Sequence, residues 1–272
     1  MAFSACHTEE IDHSKLVVEG WIDADKHPIV ILHTSYSFSD SVPANTTLVD
    51  VLAEHMVLFG KVVIFDGQYS ITLTGRVDSN YLPPYIYTTT RIKGEVGSTY
   101  HLKALYKGFS ATAKTRIPEP SYLDSITVKK HNERMTVQAH ANNLQIGDTY
   151  AIFARKSKDK QYLLCPFGVF RANSEHMTIQ VRNPFDLNNN ALMIQFLFPY
   201  AKDMIDIKFA HIEEEEYQIL NSLASQKVTQ GVYFMETYGN IVSNITNGNG
   251  YWCGMGASEY SVRLDKDSLY IY

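Results

Sequence analysis

The sequence has few cysteines and none of the closely spaced cysteine pairs that hold zinc. Its 272 residues include three, Cys6, Cys165 and Cys253. A structural zinc site draws its ligands from short, paired spacings, so this pattern excludes a zinc-binding module. If Cys6 is chemically modified, Cys165 and Cys253 remain as an even pair, which an oxidising compartment permits to form a disulfide. Two buried free thiols are the alternative that we prefer.

Long apolar runs, excess positive charge and catalytic motifs are also absent. No apolar run approaches the roughly 20 residues of a membrane-spanning helix. The net charge of -5 argues against a nucleic-acid partner, because phosphate binding needs a cationic surface. The sequence contains no Gly-x-Ser-x-Gly elbow, His-Glu-x-x-His helix, phosphate loop or Gly-x-Gly-x-x-Gly turn. We therefore expect no enzymatic activity and no cofactor, with an envelope hydrolase as the less favoured alternative.

Two features of the sequence suggest a metal site, and each has a simpler interpretation. The ten histidines are scattered, and no pattern of supporting residues accompanies them. The run Glu213–Glu216 lacks the interleaved asparagine, glycine and carbonyl ligands of a calcium loop. It is typical of a solvated first turn of a helix, where the dipole favours negative charge. We expect no bound metal.

The N-terminus resembles part of a localisation signal. Phe3, Ser4 and Ala5 precede Cys6, and small residues ending in cysteine are typical of a bacterial lipoprotein signal peptide. A full leader also needs a charged region and an apolar core of about 7–15 residues, whereas only Met1 and Ala2 precede the triplet. Either the thiol of Cys6 is acylated and anchors the protein to a membrane, or it is an ordinary free thiol.

The remaining sequence predicts a mainly β fold. Alternating and β-branched stretches indicate strands, and Asp66-Gly67 predicts a tight hairpin. A capping pattern at Thr47 predicts a helix over 47–59, and a second helix is expected near 213–228. The predicted strands are 15–22, 29–34, 61–65, 69–73, 100–106, 110–116, 125–129, 135–140, 149–155, 177–181, 192–198 and 205–211.

Two closely spaced prolines, Pro118 and Pro120, mark the best domain boundary, because proline removes ladder donors and keeps the chain extended. We predict a leader remnant and tether over 1–13. An immunoglobulin-like or transthyretin-like β-sandwich with one helix follows over 14–118. A second β-rich, sandwich-like domain with a helix covers 119–272.

Two aromatic segments are candidate contact loops. In 81–87, prolines stiffen a stretch rich in tyrosine, and in 244–254, asparagine and glycine permit a tightly folded loop that presents aromatic residues. Both could be recognition loops, or the aromatic residues could simply pack against the end of the sandwich. The candidate contact residues are Tyr81, Pro83, Pro84, Tyr85, Tyr87, Asn244, Asn247, Tyr251 and Trp252.

Several short blocks occur in an order that resembles a known family. They are 16–22 (LVVEGWI), 73–75 (LTG) with 81–87 (YLPPYIY), 94–100 (GEVGSTY), and 243–245 (SNI) with 247–250 (NGNG) and Gly254. Together they resemble the Bacteroidota lipoprotein family catalogued as domain of unknown function 4249, from Leu16 to about Leu264.

The resemblance implies a place in the cell and a partner, with no catalytic residues to carry over. Family members usually carry a lipoprotein leader and are often encoded beside a TonB-dependent outer-membrane receptor. It implies acylation of Cys6 and an outer-membrane lipoprotein, at the cell surface or the periplasmic face, that assists nutrient uptake by such a receptor. Its ligand is unspecified. A stand-alone structural or adhesive envelope module is the alternative.

Overall fold

A computed structural model describes residues 15–35, 54–185, 197–230 and 242–272. Cys6 and the predicted tether over 1–13 lie outside the described residues. Most of the predicted helix over 47–59 and most of the predicted strand over 192–198 lie outside them as well.

The described residues form strands joined by short turns, with a long helix near the C-terminal end. The strands are β1 (Leu16–Asp23), β2 (Ile29–Thr34), β3 (Lys61–Phe65), β4 (Ser70–Thr72), β5 (Thr74–Val77), β6 (Tyr85–Thr88), β7 (Thr99–Tyr106), β8 (Phe109–Arg116), β9 (Ser125–His131), β10 (Arg134–Ala141), β11 (Thr149–Lys156), β12 (Leu163–Arg171), β13 (Met177–Val181), β14 (Phe198–Pro199), β15 (Met204–Ile212), β16 (Asn249–Arg263) and β17 (Ser268–Ile271). The helix α1 spans Glu214–Gln230. The prediction of a mainly β fold built from sandwich-like units is confirmed, as is the helix near 213–228.

An eight-stranded sheet forms the centre of the molecule, in the order β12-β11-β15-β16-β1-β2-β6-β5. The long strand β16 joins its two halves. Residues 249–255 pair in parallel with β1, and residues 256–263 pair antiparallel with β15. Strands from both sides of residue 118 therefore share one sheet, and the division into domains at that point stays a prediction.

Two smaller sheets and the helix cover the central sheet. The four-stranded sheet β4-β3-β7-β8 packs on it around Trp252, and the five-stranded sheet of β13, β10, β9, β17 and β14 packs around Tyr260 and Val262. Cys253 and Met255 alternate with these residues and pack against α1. Since successive residues of a strand point to opposite faces, the helix lies on the face opposite both smaller sheets.

Local sequence explains the tight hairpins. The predicted turn at Asp66-Gly67 joins β3 to β4, and the Asp66 carboxylate accepts hydrogen bonds from the backbone N–H groups of Gln68 and Tyr69. Lys107 and Gly108 both have positive φ and connect β7 to β8 as a two-residue turn. Positive φ at both central residues gives the twist that such a hairpin needs.

The sequence prediction missed β5, β6, β12, β16 and β17. The largest miss is β16, because its glycines indicate a loop, whereas they permit close approach of neighbouring strands. A Cβ atom at Gly250, whose φ is 102°, would overlap the carbonyl oxygen of Val18 on β1. Residues 249–254, the second half of the segment expected as a contact loop, form the start of β16, which lies in the middle of the central sheet.

Candidate functional site: a cavity beneath the helix

The structure places Tyr85 and Tyr87 on strand β6, where both anchor the segment before β3. The Tyr87 hydroxyl donates to the Val57 carbonyl at 2.7 Å and accepts from the Gly60 N–H at 2.8 Å. The Tyr85 hydroxyl donates to the Leu58 carbonyl at 2.6 Å. Tyr87 is 2% exposed, so the packing alternative describes it, whereas Tyr85 is half-buried and its role in recognition stays a prediction.

Trp252 and Asn244 also belong to the interior structure. Trp252 is fully buried on β16, and its indole N–H donates to the Tyr100 carbonyl at 3.1 Å. The Asn244 side chain accepts from the Trp252 N–H at 3.0 Å and donates to the Trp252 carbonyl at 2.9 Å. The buried side chain of Trp252 does not lie on an exposed contact loop, whereas Asn244 is half-buried and its role as a contact residue stays a prediction.

The other candidate residues of the two segments lie at turns. Asn247 has a positive φ of 59° just before β16. The Leu82–Pro83 peptide bond is cis, Pro83 is buried and Pro84 is half-buried. The neighbouring Leu82 N–H donates to the side chain of Gln161 at 3.0 Å, so this turn is held against the second half of the chain.

Two of the predicted aromatic residues, Tyr81 and Tyr251, do converge. They lie on the wall of a cavity of about 100 Å³ on the helix-covered face of the central sheet. Trp21 on β1 lies beside Tyr81, with 6.3 Å between the ring centroids. Burial raises the pKa of Tyr81, and it raises the pKa of Tyr251 strongly, with a smaller effect from Glu19. Both phenols therefore stay neutral and can donate hydrogen bonds at physiological pH.

The remaining wall residues come from five parts of the fold. These residues are Phe153 from β11, residues 160–164 ahead of and within β12, Lys208 from β15, Leu220 and Leu223 from α1, and Met255 from β16. Strands of one sheet and a helix packed on it fix these side chains relative to one another.

Lys208 is the buried cation of the cavity wall. Its side chain is 3% exposed, and its ammonium nitrogen lies 3.0 Å from Asp23 Oδ2 and 3.6 Å from Met255 Sδ. It also stands over the rings of Phe153 and Tyr162, at 4.6 and 5.3 Å from their centroids. A charged lysine tolerates burial only with such partners, because desolvation is costly.

Tyr162 adds a hydroxyl group whose hydrogen bonding is unfilled. Among the described residues no hydrogen-bond partner lies within 3.5 Å of this buried hydroxyl, and the Glu259 carboxylate acts on it from farther away. Burial raises its pKa strongly, and the Glu259 carboxylate adds to the rise. The Arg155 guanidinium lies 4.3 Å from the centre of its ring. The Tyr162 hydroxyl is thus a neutral donor on the wall of an apolar cavity.

Glu216, in the first turn of α1, is buried although the Glu213–Glu216 run was predicted to be solvated. It is 1% exposed. Its Oε1 accepts from the Thr115 hydroxyl at 2.6 Å, and that hydroxyl accepts from the Gly254 N–H at 2.6 Å. Burial, with smaller contributions from Glu215 and Glu213, raises the pKa of Glu216 to about 7, against the opposing Thr115 hydrogen bond. This carboxyl joins the helix to β8 and β16.

The rest of the run behaves as predicted, and so do the two later cysteines. Glu213 pairs with Arg116, and Glu214 pairs with Arg171, both at the surface. Cys165 and Cys253 are buried thiols that are not joined in a disulfide, which confirms the preferred interpretation. Burial raises the pKa of the Cys253 thiol well above its ordinary value, so it is not a reactive thiolate.

A metal-binding cluster and a membrane-spanning helix are both absent from the described residues. Within them, no group of three or more histidine, cysteine, aspartate or glutamate side chains is placed to hold a metal ion. No helix in residues 15–35, 54–185, 197–230 or 242–272 is both long and apolar enough to cross a membrane.

The sequence prediction missed Trp21, Tyr162, Lys208 and Met255 as cavity residues. One signal was available for Lys208, because it stands between Ile207 and Phe209 in a strand that is mostly apolar. A strand buried on both faces reads as a continuous apolar run, so a lysine within it indicates a paired, buried charge. Nothing local marks the other three, which meet only through the pairing of β1 with β16 and the packing of α1.

Comparison with known proteins identifies a family that covers nearly the whole chain. No curated protein matches the sequence. The family model described as Domain of unknown function (DUF4249) matches residues 5–261. This range includes the central sheet except for the last two residues of β16, and every residue that lines the cavity. The chain therefore belongs to the DUF4249 family.

Proposed function

We propose that this protein is a ligand-binding lipoprotein of the bacterial cell envelope, acting as an accessory subunit of a TonB-dependent receptor in the outer membrane. The cavity beneath α1 is its binding site. Acylation of Cys6 anchors it to the outer membrane, at the cell surface or the periplasmic face.

The observation that carries the proposal is the cavity itself. Five aromatic side chains from distant parts of the sequence line it, together with one buried lysine. They are Trp21, Tyr81, Phe153, Tyr162 and Tyr251. Enclosed, mainly apolar walls with a few polar groups are typical of small-molecule sites. Membership of the DUF4249 family supports the envelope setting through the lipoprotein leader and receptor neighbourhood that the resemblance implies.

Binding, and not turnover, is the activity that these walls favour. The lining formed by the described residues contains no serine, cysteine, histidine or carboxylate, the groups that most often act as nucleophile or general base. Its polar side chains are lysine, glutamine and tyrosine, which can orient a ligand by hydrogen bonds.

The anchor and the partner are tested in the native host. Labelled palmitate should enter the wild-type protein and not the Cys6→Ala variant. Pull-down of the membrane-extracted protein should recover a TonB-dependent receptor. Recovery of no receptor, under conditions that preserve a known receptor complex, would contradict the accessory role and favour a stand-alone structural or adhesive module.

The role of the cavity is tested in the same pull-down with a variant that fills it. Leu223→Trp places a larger side chain in the wall, whereas Leu269→Trp makes the same change on the exposed strand β17. If ligand occupancy controls the complex, Leu223→Trp changes receptor recovery and Leu269→Trp does not.

A further inference from the structure

The polar groups that line the cavity are mainly hydrogen-bond donors. Two lysines, Lys160 and Lys208, belong to the wall, whereas their carboxylate partners Asp78 and Asp23 are not among the lining residues. The wall as the described residues form it therefore presents positive groups and no negative group to a ligand.

Lys208 and Tyr162 both have donor capacity left for a ligand. A lysine ammonium has three N–H groups, and those of Lys208 meet one oxygen of Asp23 and the weakly accepting sulfur of Met255. The Tyr162 hydroxyl has no hydrogen-bond partner within 3.5 Å among the described residues, although the Glu259 carboxylate acts on it from farther away. The Lys208 ammonium lies over the face of the Tyr162 ring, 5.3 Å from its centre, so both donors belong to the wall of one cavity. A carboxylate is the strongest acceptor that lysine and tyrosine meet.

The walls of the cavity suit one aromatic ring, part of which would lie at the open side of the cavity. Its volume of about 100 Å³ is too small for an oligosaccharide or a peptide, and it is below the roughly 150 Å³ that encloses a whole benzene molecule. Aromatic walls offer stacked and edge-to-face contacts to such a ring.

We propose that the cavity binds a monocyclic aromatic carboxylate, with the ring among Trp21, Tyr81 and Tyr251 and the carboxylate at Lys208 and Tyr162. The proposal rests on the proposed function, since it names the ligand class of the same site. A free small molecule and a single aromatic group of a larger nutrient share this chemistry.

Three probes of similar size and different charge test the ligand class. Titration calorimetry at fixed ionic strength should show benzoate binding about tenfold more tightly than benzamide, because a charge-assisted hydrogen bond exceeds a neutral one by this margin. Benzylamine should bind more weakly still. Equal affinities, or a preference for benzylamine, would overturn the proposal.

Two measurements locate the bound probe. In the wild-type protein, benzoate should shift the methyl resonance of Met255 in a carbon-labelled sample, whereas the exposed Met204 should not respond. Leu223→Trp should abolish benzoate binding, and the matched change Leu269→Trp should leave it intact. Unchanged affinity in a folded Leu223→Trp variant, or no shift at Met255, would show that benzoate binds elsewhere.

The contribution of Lys208 needs a paired substitution, since Lys208→Met alone leaves the Asp23 carboxylate buried without its cation. The double variant Lys208→Met/Asp23→Leu should lose about tenfold in benzoate affinity and keep its affinity for benzyl alcohol. Loss of both affinities together would contradict the assigned role of Lys208.

The outcomes separate this proposal from the one on which it rests. If the receptor is recovered in a cavity-dependent manner and benzoate does not bind, the ligand class is wrong and the proposed function stands. If benzoate binds in the cavity and no receptor is recovered, the ligand class stands and the accessory role fails.

Discussion

Glu216 is the residue whose chemistry departs furthest from what its position in the sequence suggests. The first turn of a helix normally favours an ionised carboxylate. Here the side chain is buried, and Glu216 Oε2 has no hydrogen-bond partner among the described residues. Loss of hydration outweighs the helix dipole, and it raises the pKa to about 7 from an ordinary value of 4.5.

This shift predicts a pH dependence of stability with a definite sign. The folded protein holds a proton on Glu216 that the unfolded chain releases near pH 4.5, so the free energy of unfolding should fall as pH rises from about 4.5 to about 7. The size of this effect is at most about 3 kcal/mol. Urea titrations at pH 5 and pH 8 measure it.

Two variants isolate the contribution of Glu216. Glu216→Gln keeps the acceptor for Thr115 and removes the charge, so it should exceed the wild-type protein in stability at pH 8 and match it near pH 4.5. Glu215→Gln changes the exposed neighbour and should leave the pH dependence in place. A pH dependence that survives in Glu216→Gln would assign it to another group.

At the scale of elements, β16 depends on a side-chain clamp at its start. Asn244 makes two hydrogen bonds to the backbone of Trp252, a residue already paired with Gly20 of β1. Asn244→Ala should lower the free energy of unfolding by about 2 kcal/mol, because each buried hydrogen bond contributes roughly 1 kcal/mol. Asn143→Ala, at an exposed asparagine, is the control, and chemical denaturation measures both. Equal stabilities would show that the clamp contributes nothing.

The pairing of β1 with β16 also depends on the absence of a side chain at Gly20. A Cβ atom there would lie 2.7 Å from Cε3 of the Trp252 ring. Gly20→Ala should destabilise the protein by about 1–3 kcal/mol, the usual range for overpacking a core. In the double variant Gly20→Ala/Trp252→Phe, the smaller ring should recover part of that loss, giving a favourable coupling energy. Strictly additive effects would contradict the close contact.

These two contacts explain where sequence-based prediction of the elements succeeds and fails. The hairpins at Asp66-Gly67 and Lys107-Gly108 were predictable because both the turn and the alternation of its strands are local in sequence. Strand β16 was not, because its glycines and Trp252 acquire their meaning from β1, more than 200 residues away in sequence. Strand β6 was missed for a local reason, because Pro83 and Pro84 mark a turn that ends just before it.

The residues of the candidate site, like the strands, were predictable from the sequence only in part. Tyr81 and Tyr251, two of the predicted contact residues, both line the cavity, and their contact with a ligand or partner stays a prediction. Their aromatic neighbours in sequence, Tyr87 and Trp252, point to the other face of the sheet and are core residues. Alternation along β16 places Tyr251 and Trp252 on opposite faces, and it applies only once the segment is known to be a strand. Tyr81 differs, because it lies in the turn before β6.

For the whole molecule, the shared central sheet predicts one cooperative unfolding unit. Val62 lies in the core beneath the four-stranded sheet, and Val137 lies in the core beneath the five-stranded sheet. Either Val→Ala substitution should shift the entire transition, so that tryptophan fluorescence and far-UV circular dichroism move together. Two separated transitions, with only one moved by each substitution, would mean that the two sandwiches unfold independently.

The account depends most on the claim that the cavity beneath α1 is a ligand-binding site. The most direct measurement is a crystal structure of the protein with 4-bromobenzoate, using the anomalous signal of bromine. We predict one anomalous peak among Trp21, Tyr81 and Tyr251, with density for the carboxylate within hydrogen-bonding distance of Lys208. An empty cavity at a concentration that saturates binding in solution, with the bromine peak elsewhere on the protein, would contradict the claim.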